Sequence, residues 1–215
     1  MLIFGTNLEQ VEGTKTFLSS KFDMKDMGET NVILGIRILR NKNNIMLSQS
    51  HYIEKILNKF NQNDCIPAST PLDPKINFVK NEENPKSQLK YAKIIGCLMY
   101  ATTCTRLDIT CGIGILSRYT SNPSRLYWRG VTRILKYLKA TKDYDLCYTG
   151  YTSILERFLD ASWTTNKDDH SSISGWIFIF GGGAISWGSK KQTCITNSTT
   201  AVEFVALVST CKEAK

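Results

Sequence analysis

Two carboxylates stand among neighbours that make an ionised group costly. Asp160 follows Phe158-Leu159 and precedes Ala161-Ser162-Trp163, a strand-like run with large apolar flanks. Glu203 lies in Val202-Glu-Phe-Val-Ala-Leu207, in the opening turns of a segment with helical character. Taking a carboxylate out of water costs free energy unless a cation or hydrogen-bond donors compensate it. A shared Mg²⁺, which takes oxygen ligands, would do so. Simple surface exposure or ordinary hydrogen bonding would serve as well, and residue types alone leave both readings open. A cationic cluster follows in Ser189-Lys190-Lys191-Gln192, two ammonium groups beside two hydrogen-bonding side chains. Such a cluster can hold a phosphate backbone or merely end a polar strand.

Other chemistries are missing from the sequence. There is no Gly-rich phosphate loop followed by Lys-Ser/Thr and no Gly-x-Ser-x-Gly elbow. His51 and His170 are isolated in polar contexts, so neither forms a local Cys-His nucleophilic pair. The seven cysteines (Cys65, Cys97, Cys104, Cys111, Cys147, Cys194, Cys211) are scattered and never spaced Cys-x-x-Cys. That argues against structural zinc and suits a reducing compartment. The opening Met-Leu-Ile-Phe-Gly-Thr is too short and too quickly polar for a signal peptide. No apolar run reaches the length needed to cross a bilayer. The expectation is a soluble intracellular protein, in cytoplasm or nucleus, with no membrane partner.

The elements that must position these groups can be read from patterning. A chain of 215 residues holds one large or two small cores, and 42% hydrophobic with 21% charged residues is ordinary globular composition. The net charge of +8 favours a polyanionic partner through phosphate contacts, although a solubilising surface gives the same sum. Residues 1–5 read as the tail of a buried strand. Leu8, Val11, Phe17 and Leu18 suggest a short amphipathic helix closed by Gly28. Val32–Ile38 reads as a strand, and Ile45–Leu47 as the second arm of a hairpin across the polar turn 41–44. Ser48 or Ser50 is positioned to cap a helix carrying Tyr52, Ile53, Ile56, Leu57 and Phe60. Residues 61–90, with Pro67, Pro71, Pro74 and Pro85, form an extended connector. A helical block covers about Tyr91 to Lys139. In it Val131, Ile134, Leu135 and Leu138 share one face, while Arg129, Arg133, Lys136 and Lys139 share another. That basic ridge is a solvated face or a phosphate-tracking one. Strands are expected at Asp145–Thr149, Leu155–Trp163, Ile173–Phe180 and Ala184–Trp187, with Gly181–Gly183 as a turn. A final helix is capped by Thr199 or Thr200.

Many of these segments together resemble the copia-type retrotransposon Pol polyproteins. Gly35-Ile-Arg-Ile38 and Leu47-Ser-Gln-Ser-His-Tyr-Ile-Glu-Lys-Ile-Leu57 resemble the stretch after the reverse-transcriptase palm. Ser69-Thr-Pro-Leu72, Tyr91 with Ile95-Gly-Cys-Leu-Met-Tyr100, Thr105-Arg-Leu-Asp-Ile109, Leu116-Ser-Arg-Tyr119 and Arg133-Ile-Leu-Lys-Tyr-Leu-Lys139 follow in that family's order. Leu159-Asp-Ala-Ser-Trp163, Ser174-Gly-Trp176, Ile185-Ser-Trp187, Lys190-Lys-Gln192 and Ser198 through Leu207 complete it. Each motif is weak alone, but so many in register are specific.

The resemblance implies a mixed α+β fold of palm-end strands and thumb-like helices, then a truncated ribonuclease H-like α/β fold. Its divisions are residues 1–60 (palm end and start of the thumb), 61–90 (connector), 91–142 (helical thumb or connection) and 143–215 (first part of a ribonuclease H-like domain). It implies a chain that starts just after the polymerase aspartates and stops before the last ribonuclease H aspartates. The expected product is a remnant without polymerase activity and inactive alone in hybrid cleavage. By the resemblance, Asp160 and Glu203 are catalytic Mg²⁺ ligands of an incomplete set. Lys190, Lys191, Gln192, Arg133 and Lys136 are expected to contact nucleic acid. The implied partners are an RNA–DNA hybrid or single-stranded nucleic acid, and other Pol segments. Alternatives are a ribonuclease H half completed by another chain and a domesticated binding module without catalysis. Leu107 stands where the family usually has proline, Ala140 where it has glycine, and Ala201 where it is often acidic; these departures suggest relaxed selection.

Overall fold

The computed structural model describes residue 3 and residues 7–73, 75–76, 78–82, 84–150, 154–162 and 171–213. The strand tail expected at residues 1–5 lies almost wholly outside them, as do Trp163 and His170. Among the described residues, six α-helices and two antiparallel sheets make a mixed α/β structure. No helix among the described residues is long and apolar enough to cross a membrane.

The first helix, α1 (Leu8–Lys21), is defined locally. Asn7 accepts hydrogen bonds from the Glu9 and Gln10 amides at its start, Glu9 suits the positive end, and Lys21 the negative end. It buries no residue, which corrects the amphipathic expectation. At about 100° per residue, Leu8 and Phe17 point to opposite sides, so the apolar residues never form one stripe.

The strand expected at Val32–Ile38 is two strands. β1 (Val32–Ile33) turns at Leu34-Gly35 into β2 (Ile36–Arg40), and both turn residues have positive φ, 49° and 77°. That is the two-residue turn whose twist matches antiparallel strands. The Tyr100 hydroxyl donates to the Leu34 carbonyl, holding the turn against the helical core. β3 (Ile45–Ser48) pairs with β2 as expected, Arg37 opposite Ser48 and Arg40 opposite Ile45.

Next, α2 (Ser50–Lys59) has Gln49 at its N-cap position, whose side chain makes no cap; of the two expected serines, Ser48 accepts from the Ser50 amide at 3.4 Å. Gln49 is fully buried and accepts from the Thr105 hydroxyl at 2.8 Å. Beyond α2 come α3 (Gln88–Cys104), a 3₁₀ turn (Leu107–Ile109), α4 (Thr110–Ser117) and α5 (Arg125–Ala140). Ile53, Tyr91, Leu98, Ile109, Leu116, Tyr127, Ile134 and Leu138 are all fully buried where these elements meet. The expected apolar face of α5, Val131 with Ile134, Leu135 and Leu138, is the one that faces this core.

Residues 61–87 contain no helix or strand among those described. They are nonetheless strapped to α5. Leu72 and Phe78 pack against the core, the Ala68 amide donates to the Lys136 carbonyl, and the Tyr127 hydroxyl to that of Val79. Gly130 provides the socket, since a Cβ there would lie 2.9 Å from Leu116 Cδ2 and 3.1 Å from the Phe78 ring.

The strand expected at Asp145–Thr149 forms as β4 (Leu146–Tyr148), but it extends the first sheet. Its partner is β3, Met46 opposite Cys147, giving the order β1-β2-β3-β4. The second sheet holds β5 (Glu156–Ser162), β6 (Ile173–Phe180) and β7 (Gly183–Lys191) in that order. Gly181 and Gly182 turn β6 into β7 at φ 61° and 80°. α6 (Thr199–Glu213) follows, capped by Ser198, which accepts from the Ala201 amide, and not by Thr199 or Thr200.

The second sheet lies between α6 and the helical core. Gln192 Nε2 donates both to Ser174 Oγ and to the Val202 carbonyl, each at 2.9 Å, which marks the α6 face. On the other face, Trp187 Nε1 donates to the Thr102 carbonyl at 2.8 Å.

Candidate metal and nucleic-acid site

Asp160 is central in β5, opposite Gly175 of β6. It is exposed, and its Oδ1 accepts from the Ala161 amide at 2.9 Å. Glu203 is exposed on α6. Neither carboxylate is desolvated, so the cost inferred from their apolar neighbours does not arise. Phe158 shares the Asp160 face of β5 but is itself 55% exposed, while Val202 is buried beneath Glu203 on the sheet side of the helix.

Two contacts fix where the pair sits. Arg157 Nη1 donates to Cys211 Sγ at 3.1 Å, tying the start of β5 to the end of α6. Ser174, paired with Ala161, connects through Gln192 to Val202. From Arg157 to Asp160 is about 10 Å of strand, and from Cys211 back to Glu203 about 12 Å of helix. The two carboxylates therefore lie at one level of the unit. Strand alternation puts Ala161 and Ser174 on the α6 face and Asp160 on the opposite one, so β5 runs between the two groups. Among the described residues no cluster of three or more His, Cys, Asp or Glu side chains forms.

The five basic and amide positions separate. Lys190 is exposed on β7 and Lys191 half-buried beside it. Gln192 is 7% exposed, with its amide engaged between Ser174 and Val202, so its amide donors serve the sheet–helix junction. On α5, Arg133 donates to the Thr70 carbonyl and hydroxyl, at 3.2 and 2.8 Å, and lies 3.9 Å from Asp73. Lys136 is half-buried on the same ridge, and Lys139 donates to the Cys65 carbonyl at 2.8 Å. Much of the ridge thus holds the connector. Arg129 remains exposed.

Sequence reading passed over two charged groups. Arg106 is 1% exposed, one of the largest fully buried side chains among the described residues, and sits within the Thr105–Ile109 motif as a structural anchor. Lys86, Lys90 and Arg125 are gathered beside Trp128. The 39-residue separation between the first and last of these leaves no local signal; only the fold of the connector brings them together.

The family described as "Reverse transcriptase (RNA-dependent DNA polymerase)" matches residues 1–74, which span α1, the first three strands and α2. The chain is 39% identical, over 99% of its length, to the retrovirus-related Pol polyprotein of transposon TNT 1-94 from Nicotiana tabacum, covering 17% of that protein. This chain belongs to the copia-type transposon Pol polyproteins. It is also 31% identical over 99% of its length to the Pol polyprotein of transposon RE2 from Arabidopsis thaliana, covering 15% of it. An uncharacterized mitochondrial protein of Arabidopsis thaliana is 32% identical over 91% of this Pol chain, which covers 82% of that protein. This Pol chain therefore spans about a sixth of the transposon polyproteins it matches. No solved structure matches it significantly.

Proposed function

We propose that this chain serves in Pol as the stretch that leads from the end of the reverse-transcriptase palm, through thumb-like helices, into a ribonuclease H-like unit. The unit is β5-β6-β7 with α6 on one face. The observation that carries the reading is the placement of Asp160 and Glu203 at one level of that unit. Both offer exposed carboxylate oxygens, the donors Mg²⁺ takes while retaining waters. With β5 between them the two do not share one ion in this arrangement; in this reading they converge on a ligand set only when the rest of the unit packs against them, and a metal bound there would activate water and stabilise the leaving oxygen in hybrid hydrolysis. Another Pol segment completes the ligand set in this reading. The chain by itself binds an RNA–DNA hybrid and does not cut it.

The test is incubation of the chain with a labelled hybrid and Mg²⁺, alongside binding by fluorescence anisotropy. Binding that weakens steeply with salt and no cleavage are expected. Mg²⁺-dependent cleavage abolished by Asp160→Asn would show instead a self-sufficient nuclease. A second reading, a binding module with no catalytic role in any assembly, is favoured by the strand between the two carboxylates. It predicts that added downstream Pol segments restore no cleavage.

A further inference from the structure

The end of the connector and the start of α5 form an open cleft of about 320 Å³ lined by Lys86, Ser87, Lys90, Arg125 and Trp128. Among the described residues, three of the five that line it are cations and none is a carboxylate. None of the three cations forms an ion pair among the described residues. Like charges gathered this way repel one another and favour an anion between them.

The gathering is built into the backbone. The Lys86 amide donates to the Pro123 carbonyl at 2.9 Å, and Trp128 Nε1 donates to the Lys86 carbonyl at 2.7 Å. Trp128 is in turn set edge-on against Tyr91, ring centroids 5.5 Å apart, and Tyr91 is fully buried. Lys86 is therefore fixed relative to α5, while Lys90 is carried in the first turn of α3. The helices add to the field rather than offset it. Neither α3 nor α5 has an acidic residue in its first turn, and Ser87 makes no side-chain cap on α3. A second cleft with lysines, lined by Lys190, Lys191 and Lys212, also contains Glu213 and sits at the negative end of α6. It is the poorer anion site.

We propose that the Lys86–Lys90–Arg125 cleft is a phosphate-binding site, with Arg125 able to engage two oxygens at once and the lysines acting as point charges. The phosphate is either a backbone group of a nucleic-acid strand or a free anion. The site depends on neither Lys190 nor the carboxylate pair, so it stands or falls apart from the ribonuclease H-like reading.

The experiment follows the Trp128 indole N–H signal by NMR while inorganic phosphate is added. The signal is identified by its loss in Trp128→Phe. A saturable shift is expected, weakened about tenfold in Lys90→Gln or Arg125→Gln, the value of one charge-assisted hydrogen bond. It is expected to be unchanged in Lys190→Gln. The Trp187 indole signal, held by its bond to Thr102, verifies that each variant is folded. A short single-stranded DNA that moves the same signal and competes with phosphate identifies the backbone as the source. Phosphate that acts while DNA does not identifies a free anion, and both results support the site. No saturable shift, or equal affinity in the Lys90 and Arg125 variants, overturns it.

Discussion

Replacing Arg106 with methionine removes a guanidinium that the fold has enclosed on every side. Its Nε and Nη2 donate to the two Asp108 oxygens at 3.0 and 2.6 Å, and Nη1 and Nη2 donate to the Thr141 carbonyl and hydroxyl at 3.0 and 2.6 Å. The Tyr137 and Tyr144 rings lie 5.8 Å from its central carbon. These bonds join the 3₁₀ turn to the end of α5. Methionine fills similar length but leaves Asp108 and Thr141 without their donor. Asp108 keeps 27% of its side chain exposed, so stranding it costs less than in a fully buried pair, about 2–4 kcal/mol. With a urea slope of about 2 kcal/mol/M, the midpoint falls by roughly 1–2 M, read by far-UV circular dichroism. The pH dependence gives a second reading. In the native protein, burial raises the Asp108 pKa, but the Arg106 hydrogen bonds and charge, with Tyr137, outweigh it and leave the group below its ordinary value. A depressed folded pKa contributes stability above the unfolded value of about 3.9, and that stability is lost as pH falls through the folded value. In the variant the burial effect loses its main opposition, so the folded pKa rises and ionisation at neutral pH opposes folding. The deficit relative to wild type is therefore larger at neutral pH than at about pH 4. A deficit below about 1 kcal/mol at neutral pH, or one equal at both, would refute the buried-pair account. Arg106→Met with Asp108→Leu is expected to recover part of the loss.

Gly130→Ala forces a Cβ against Leu116 and Phe78 and is expected to cost about 1–3 kcal/mol, with faster exchange of the Ala68 amide as the connector lifts from α5. Gln192→Ala removes two hydrogen bonds at the sheet–helix junction, costing about 1–3 kcal/mol. Hybrid affinity of the folded variant stays unchanged; a large affinity loss without destabilisation would make Gln192 a contact residue instead. Tyr52 is pushed up to about 12, first by burial and then by Cys97. Its folded pKa being raised, stability is intact below the unfolded value of about 10 and declines as pH rises towards the folded one. Tyr52→Phe is expected to flatten that alkaline decline in a denaturation series.

Elements with strong periodicity were legible in the residues. The α5 apolar face, the β2–β3 hairpin, β6 and the connector follow from local spacing and turn chemistry. The failures share a cause as well. Val32–Ile38 looked continuous because Leu34 is not a usual residue for positive φ, and the Tyr100 hydroxyl that holds the turn lies far along the chain. β4 resembled the opening strand of the last segment, yet its partner is β3, about a hundred residues earlier. The caps at Gln49 and Ser198 missed expectation by one or two positions, as helix ends commonly do.

The sequence alone determined the family, through many weak motifs in order, and the helix and strand content, through periodicity. It also supplied the candidate carboxylates, Asp160 and Glu203. Tertiary structure decided what each charge faces. It exposed both carboxylates and set β5 between them, turned Gln192 inward, tied Arg133 to the connector and enclosed Arg106. It also gathered Lys86, Lys90 and Arg125 into one cleft. Backbone preference is local and therefore visible in neighbouring residues, whereas desolvation and charge pairing depend on groups brought close from distant parts of the chain.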